Sequence, residues 1–148
     1  MVNPDFRDLF AALNEAEARY LVVGAHAVAF YAEPRFAKDL DVWVEASPGN
    51  APRIMAALLA FGAPLAGVTE ADFQAPGAVL QIGVAPNRIG ITTHIDGVGF
   101  AAARPNRLST ACGDQSIWII GRAELIQNKA AVARPQNLLD LALREKHG

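Results

Sequence analysis

The spacing of apolar residues predicts a helix, a strand and a second helix at the start of the chain. Apolar side chains three or four positions apart indicate an amphipathic helix that begins at Asn3 or Pro4 and runs to about Ala18. A short apolar run, 20–23, follows and predicts a buried strand. The small, mostly apolar stretch 25–32 predicts a second helix.

The middle of the chain combines a strand, a turn and a helix. Polar and apolar residues alternate in 39–45, which predicts a half-exposed strand. Turn-forming residues occupy 47–50, and the apolar positions of 54–61 predict an amphipathic helix that ends at Gly62. The composition of 69–72 indicates a short, capped helical turn.

The remaining segments predict more strands and two helices. Two apolar runs, 79–84 and 88–95, are joined by turn-forming residues and predict a β-hairpin. A further strand is expected at 116–120, followed by helices at about 123–133 and 136–146. This order of elements is typical of an α/β or α+β fold.

Composition limits the class of protein. The chain has 148 residues, of which 52% are hydrophobic and 19% charged, so it is too apolar to be disordered. Its length, without repeats or a long linker, predicts one domain over 1–148. The longest uncharged run, 20–32, is too short to span a bilayer, and the first residues lack a signal-peptide profile. The single cysteine, Cys112, fits a reducing compartment, so we expect a cytoplasmic protein without a membrane partner.

Two acidic residues and a glycine form the main candidate site. Asp39 and Asp41 are two positions apart on a predicted strand, so their side chains share one face and can reach one divalent cation. Gly24 follows a strand and opens a helix, a junction that presents backbone N–H groups to a phosphate. Together they predict Mg²⁺-dependent phosphoryl or nucleotidyl transfer. The alternative is a solvated strand edge and an ordinary turn.

The same residues resemble a known signature. Gly24-Ala25, a 13-residue spacer and Asp39-Leu-Asp-Val42 are similar to the signature of the polymerase-β-like nucleotidyltransferase superfamily. More specifically, the segments VVGAHAVAFYAEPRFAKDLDVWV, PNRIGITTHIDGVGF and LIQNKAAVARPQNLLDLALRE resemble small stand-alone nucleotidyltransferase-like proteins. These proteins are relatives of minimal nucleotidyltransferases and of abortive-infection type toxins.

The resemblance implies a nucleotidyltransferase fold, in which helices flank a mixed sheet, and a nucleoside triphosphate with Mg²⁺ or Mn²⁺. Asp39 and Asp41 would be the catalytic residues that hold the metal, and Gly24 and Ala25 would bind the triphosphate. A substrate hydroxyl would attack the α-phosphorus and pyrophosphate would leave.

Two lysines and a histidine have open roles. Lys38 is a candidate to neutralise a phosphate and is equally explained as a surface charge. Lys129 is a candidate substrate contact, but a solvated helix charge is the slightly favoured explanation. His26 is expected to be a hydrogen-bonded structural residue.

One position departs from the superfamily pattern. A third carboxylate is expected on a later strand, but this chain has Gly90 there. We expect Gly90 on the strand face opposite Asp39 and Asp41, with a gap where a carboxylate would complete the metal site. His94 and Asp96 are the candidates to replace the missing acid.

Two functions follow from these observations. The first is a nucleotidyltransferase that modifies a hydroxyl of an RNA, a protein or a small molecule, with activity weakened at Gly90. The second is a catalytically inactive protein of the same fold that binds or regulates a partner protein, for example in a toxin–antitoxin pair. A dinucleotide-binding fingerprint at 97–102 is disfavoured because Pro105 would end the helix that it requires.

Overall fold

The computed structural model describes residues 3–32, 39–83 and 87–133. Its strands are β1 (Tyr20–Val23), β2 (Leu40–Val44), β3 (Val79–Ile82), β4 (Ile89–Thr92), β5 (Leu108–Cys112) and β6 (Gln115–Ile119). Its α-helices are α1 (Pro4–Glu15), α2 (Gly24–Tyr31), α3 (Ala51–Phe61), α4 (Phe100–Ala103) and α5 (Arg122–Val132). Short 3₁₀ helices cover Glu70–Phe73 and Arg104–Asn106.

The six strands form one mixed sheet in the order β3-β4-β2-β1-β6-β5. Strand β1 is antiparallel to β2 and parallel to β6, and β2 is parallel to β4. The outer pairs, β3 with β4 and β5 with β6, are antiparallel. The predicted mixed α/β fold is therefore confirmed, and its topology places the start of β2 and β4 beside the end of β1.

The apolar face of α1 enters the core. Its buried side chains are those predicted from their spacing: Phe6, Leu9, Phe10 and Leu13. The helix packs against α3, β5 and β6. The Phe10 ring lies 5.7 Å from that of Tyr20, whose hydroxyl donates a hydrogen bond to Asn14 Oδ1. Burial of each large apolar side chain stabilises the fold by about 1.5–3 kcal/mol.

Two connections agree with the sequence pattern. Helix α3 ends at Phe61, with Gly62 as its C-cap. The 3₁₀ turn after Thr69 has the predicted capping arrangement, in which the Thr69 N–H donates to Asp72 Oδ2. These short-range signals fix where the elements begin and end.

Two predicted elements are shorter in the structure. Helix α1 ends at Glu15 rather than Ala18, because Glu17 has a positive φ of 57° that a right-handed helix cannot contain. Strand β4 ends at Thr92, three residues before its predicted end. The Thr92 hydroxyl donates to the His94 carbonyl oxygen, and this local bond turns the chain out of the ladder.

Strand β5 was not predicted from the sequence. It is an edge strand whose residues are exposed or half-buried, so its sequence lacks a buried apolar face. Cys112 pairs with Gln115 across the two-residue turn Gly113-Asp114, and Gly113 has a φ of 63°. A glycine with positive φ at the first turn position is typical of a tight hairpin.

The end of the chain is described only as far as 133. Helix α5 confirms the predicted helix at about 123–133, whereas the helix expected at 136–146 lies outside the described residues. No helix in the described part of the chain is long and apolar enough to cross a membrane.

Candidate active site

At the junction between β1 and α2, the first backbone N–H groups of the helix have no side-chain cap within the described residues. Gly24 is the first residue of α2 and follows β1 directly. The helix N-cap, Val23, makes no side-chain hydrogen bond to the first turn. The N–H groups of an uncapped first turn have no partner within the helix, and together with the helix dipole they favour an anion.

Asp41 lies directly beside this junction. It is the register partner of Val23 on the neighbouring antiparallel strand. A Cβ atom built on Gly24 would lie 2.5 Å from Asp41 Oδ2, and Gly24 also has a positive φ of 68°. Position 24 therefore requires glycine for two separate reasons, a close approach and a left-handed backbone.

Gly90 lies on the other side of the same carboxylate. It pairs with Asp41 across the parallel strands β2 and β4, and a Cβ built on it would lie 2.9 Å from Asp41 Oδ1. The expectation that Gly90 is on the face opposite the two acids is wrong, because register partners on adjacent strands point their side chains the same way. A side chain at position 90 would enter the site and displace Asp41.

Asp39 connects the starts of β2 and β4. Its Oδ1 accepts a hydrogen bond from the Arg88 N–H at 3.1 Å, and the next residue, Leu40, donates its own N–H to the Arg88 carbonyl oxygen at 2.9 Å. Within the described residues, no donor contacts Asp39 Oδ2. One oxygen of Asp39 thus positions the carboxylate, and the other can bind a ligand.

The negative charge of Asp41 is disfavoured in this site, which favours binding of a cation. Although much of Asp41 stays exposed, desolvation by its close neighbours raises the pKa of the carboxyl group, and the negative charge of Asp39 raises it further. A carboxylate whose charge is disfavoured in this way, with a second carboxylate beside it, is a suitable ligand for a divalent cation.

His26 is a third titratable group near this pair. Burial lowers its pKa, against the smaller effects of Asp41 and Asp39, which raise it. Its Nε2 is buried and has no hydrogen-bond partner in the described part of the chain, and its ring meets that of Phe6 edge-on at 5.4 Å. The expectation of a hydrogen-bonded structural histidine is therefore not supported at Nε2, and a neutral ring adds no charge at neutral pH.

His94 and Asp96 are not brought to Asp41. His94 lies beyond the end of β4, in a cavity lined by residues at the end of β2, including Glu45 and Ser47. Its Nε2 is 3.3 Å from Asp96 Oδ1, and both side chains are more than half exposed. Because β2 and β4 are parallel, this pair belongs to the sheet end opposite Asp41 and Gly90.

The remaining predicted site residues lie in α2, in α5 or outside the described residues. Ala25 is exposed in the first turn of α2, next to Gly24. Lys38 lies outside the described residues. Lys129 is exposed in the last turn of α5, and within the described ranges its side chain makes no ion pair with Asp39 or Asp41.

The donor set suits a hard cation with few protein ligands. In the residues that the structure describes, no group of three or more His, Cys, Asp or Glu side chains could hold a metal ion. Two carboxylates beside an anion-binding helix end nevertheless fit Mg²⁺, which keeps several waters and takes phosphate oxygens as further ligands. The absence of side chains at Gly24 and Gly90 lets the Asp41 carboxylate lie close to the backbone at the start of α2.

Comparison with known proteins shows the fold. No family model matches the chain, and no curated protein matches it significantly. Among solved structures, the chain is similar to a "putative nucleotidyltransferase" (TM1012) from Thermotoga maritima, with a TM-score of 0.64 and 11% sequence identity. The match covers 100% of this chain and 97% of that one. At this identity the likeness establishes a nucleotidyltransferase fold.

Proposed function

We propose that this chain is a nucleotidyltransferase of the polymerase-β-like superfamily, which uses Mg²⁺ to move a nucleoside monophosphate from a nucleoside triphosphate to a hydroxyl acceptor. The observation that carries the proposal is the position of Asp41. Its carboxylate lies between Gly24 and Gly90, beside Asp39 and at an uncapped helix end. The shared fold with the Thermotoga maritima protein supports the same activity class.

The chain's own groups divide the work between phosphate and metal. The N–H groups at Gly24 and Ala25 would bind the triphosphate, and Asp39 and Asp41 would hold Mg²⁺. When bound, the metal neutralises charge on the phosphates and polarises the α-phosphoryl group. Because Oδ1 of Asp39 is already bonded to the Arg88 N–H, its free oxygen has a fixed direction.

The reaction exchanges one phosphorus–oxygen bond for another. The acceptor hydroxyl oxygen forms a bond to the α-phosphorus, the bond from that phosphorus to the β-phosphate oxygen breaks, and pyrophosphate leaves. The hydroxyl proton is released to water. Without a carboxylate at position 90, no third acid orients the hydroxyl, so we expect transfer to be slow.

A label-transfer assay tests this function. The protein is incubated with each α-³²P-labelled nucleoside triphosphate, with Mg²⁺ or Mn²⁺, and with total RNA, total protein or a small-molecule extract as the acceptor. We expect label in one acceptor class, lost in Asp41→Asn and retained in Asp96→Asn, which removes an exposed acid at the other sheet end. Nucleotide binding without transfer to any acceptor would instead indicate a binding or regulatory protein.

A further inference from the structure

A basic cavity lies at the sheet end opposite Asp41. Its volume is about 330 Å³, and it is lined by four arginines, Arg19, Arg53, Arg104 and Arg107, together with Trp118 and the start of β1 at Tyr20. Tyr20 pairs with Val44, whereas Asp41 pairs with Val23 at the other end of β1. Three residues of strand separate the two levels, which is about 10 Å.

The four arginines come from three separate parts of the chain. Arg19 precedes β1, Arg53 is in α3, and Arg104 and Arg107 belong to the 3₁₀ segment before β5 and its C-cap. The Arg19 N–H donates to the buried side chain of Asn50 at 2.8 Å. Backbone and side-chain bonds of this kind hold the cluster in place from different elements.

Two further bonds position guanidinium groups. Arg53 donates through Nη1 to the Glu17 carbonyl oxygen at 3.2 Å, and Arg107 donates through Nη1 to the Arg104 carbonyl oxygen at 2.9 Å. Both acceptors are neutral carbonyl groups. These two bonds therefore orient the arginines without forming ion pairs.

Four arginines and one acidic residue, Glu17, line the cavity, so it has more positive than negative charge, although the whole chain has a net charge of −2. Arg19 pairs with Glu45 at 3.4 Å, but Arg104 forms no ion pair within the described residues. Burial lowers the pKa of Arg104, and the positive charges of Arg107 and Arg19 lower it further. The guanidinium groups are thus close enough to repel one another.

Arg107 has an unused donor inside the protein. Its Cζ lies 4.2 Å from the centre of the Trp118 ring, which fixes the plane of the guanidinium group. Its Nε is buried and has no acceptor in the described part of the chain. A buried donor without an acceptor is costly.

We infer that this cavity is a second anion site that binds the phosphate groups of a small polyphosphate. Planar guanidinium groups fit phosphate oxygens with paired hydrogen bonds, and four of them around one small cavity match a ligand with several charges. The volume of the cavity is sufficient for two linked phosphates and lies near the lower end of the range found for sites that bind larger ligands. The site is independent of the proposed transferase activity, since it uses none of Gly24, Asp39 or Asp41.

Titration calorimetry without divalent cations tests the inference. The probe is inorganic pyrophosphate in EDTA-containing buffer, because without a cation the carboxylates of Asp39 and Asp41 disfavour a polyanion. We expect binding by the wild type and at least a tenfold weaker affinity in the double variant Arg104→Gln/Arg107→Gln. Arg122→Gln, which removes an exposed arginine of α5 outside the cavity, should bind as the wild type does.

A nucleotide arm identifies the source of the phosphate groups. If ATP without Mg²⁺ competes with pyrophosphate, the site accepts the phosphate groups of a nucleotide. If ATP does not compete, the site takes only the free polyphosphate. Asp41→Asn should leave pyrophosphate affinity unchanged. Failure of the transferase assay would not alter this result, so the two proposals are separable.

Three results would overturn the site. These are no heat of binding in the wild type, an equal loss in Arg122→Gln, and binding of single-stranded RNA but not of pyrophosphate, which would indicate an extended basic surface. Arg104→Lys guards against a misfolded double variant, because it keeps the charge and removes only the planar fork. We expect it to melt as the wild type does and to bind several-fold more weakly.

Discussion

Asp41 and Gly90 are register partners on parallel strands, and a Cβ on Gly90 would lie 2.9 Å from the Asp41 carboxylate. This contact is closer than real Cβ atoms normally make, so the glycine determines where the carboxylate can lie. Gly90 therefore has two effects on the site. It leaves out the third acid that the sequence resemblance led us to expect, and it gives Asp41 the room to occupy its present position.

Replacing Gly90 with aspartate should make the protein more dependent on cations. In EDTA, Gly90→Asp places a third negative charge beside Asp41 and displaces that side chain, so we expect a loss of about 1–2 kcal/mol in the free energy of unfolding. Added Mg²⁺ should raise the melting temperature of Gly90→Asp more than that of the wild type. Label transfer should also increase, because the new carboxylate would give the proposed metal site a third acid.

Gly90→Asn is the matched control, since it has nearly the same size without the charge. It should lose stability in EDTA through displacement of Asp41 but gain no extra response to Mg²⁺. An equal response to Mg²⁺ in the aspartate and asparagine variants would show that position 90 cannot reach the cation.

Gly24→Ala should damage both stability and nucleotide binding. Alanine would adopt an unfavourable positive φ and approach Asp41 Oδ2 within 2.5 Å, so we expect a loss of about 1–3 kcal/mol in chemical denaturation. Affinity for a nucleoside triphosphate with Mg²⁺ should fall as the helix start moves. Gly49→Ala, where a Cβ has open space and φ is not in the left-handed region, should change stability by less than about 0.5 kcal/mol.

The sequence predicted features that depend on neighbouring residues and missed those that depend on pairing between distant ones. The spacing of Phe6, Leu9, Phe10 and Leu13 is enough to identify α1, because helical periodicity is local. The side of the sheet on which Gly90 lies depends on the register of β4 against β2, which no local pattern encodes. The anchoring role of Asn50 across 31 residues to Arg19 was missed for the same reason.

Asn50→Ala should be one of the more destabilising single changes. The Asn50 side chain is buried, accepts from the Arg19 N–H, and donates to the carbonyl oxygens of Arg19 and Glu45. Its removal takes away the partner of the Arg19 N–H and a donor to each of two carbonyl oxygens, of which that of Arg19 keeps its bond from the Glu45 N–H, so we expect a loss of about 2–4 kcal/mol. Asn3→Ala removes only a helix cap and should lose about 1 kcal/mol. Urea denaturation of both variants compares the two effects, and similar losses would contradict this role of Asn50.

Asp41→Asn should stabilise the metal-free protein at neutral pH. The folded-state pKa of Asp41 is raised by desolvation and by Asp39, so the ionised form disfavours the native state. The stability that this group contributes is fully present below its unfolded pKa of about 3.9 and is lost as pH rises through the folded value. The advantage of the asparagine variant should therefore be greatest near pH 7 and disappear below about pH 4.

Denaturation curves of both proteins in EDTA, from pH 3 to pH 7, measure this difference. Mg²⁺ should reduce the stability difference between Asp41→Asn and the wild type, since a bound cation favours the ionised carboxylate of the wild type. A constant advantage across the whole pH range would show that packing rather than charge explains the effect.

Thermal stability should report whether the two acids near Gly24 bind nucleotide and metal together. A nucleoside triphosphate with Mg²⁺ should raise the melting temperature of the wild type, because a ligand at 100 times its Kd adds about 2.7 kcal/mol to the folded state. Asp39→Ala/Asp41→Ala should remove that increase. His94→Ala and Asp96→Asn should keep it in full, because their exposed pair lies at the other end of the sheet and exposed pairs contribute about 1 kcal/mol or less. Loss of the increase in either of these two variants would show instead that His94 or Asp96 contributes to nucleotide binding after all.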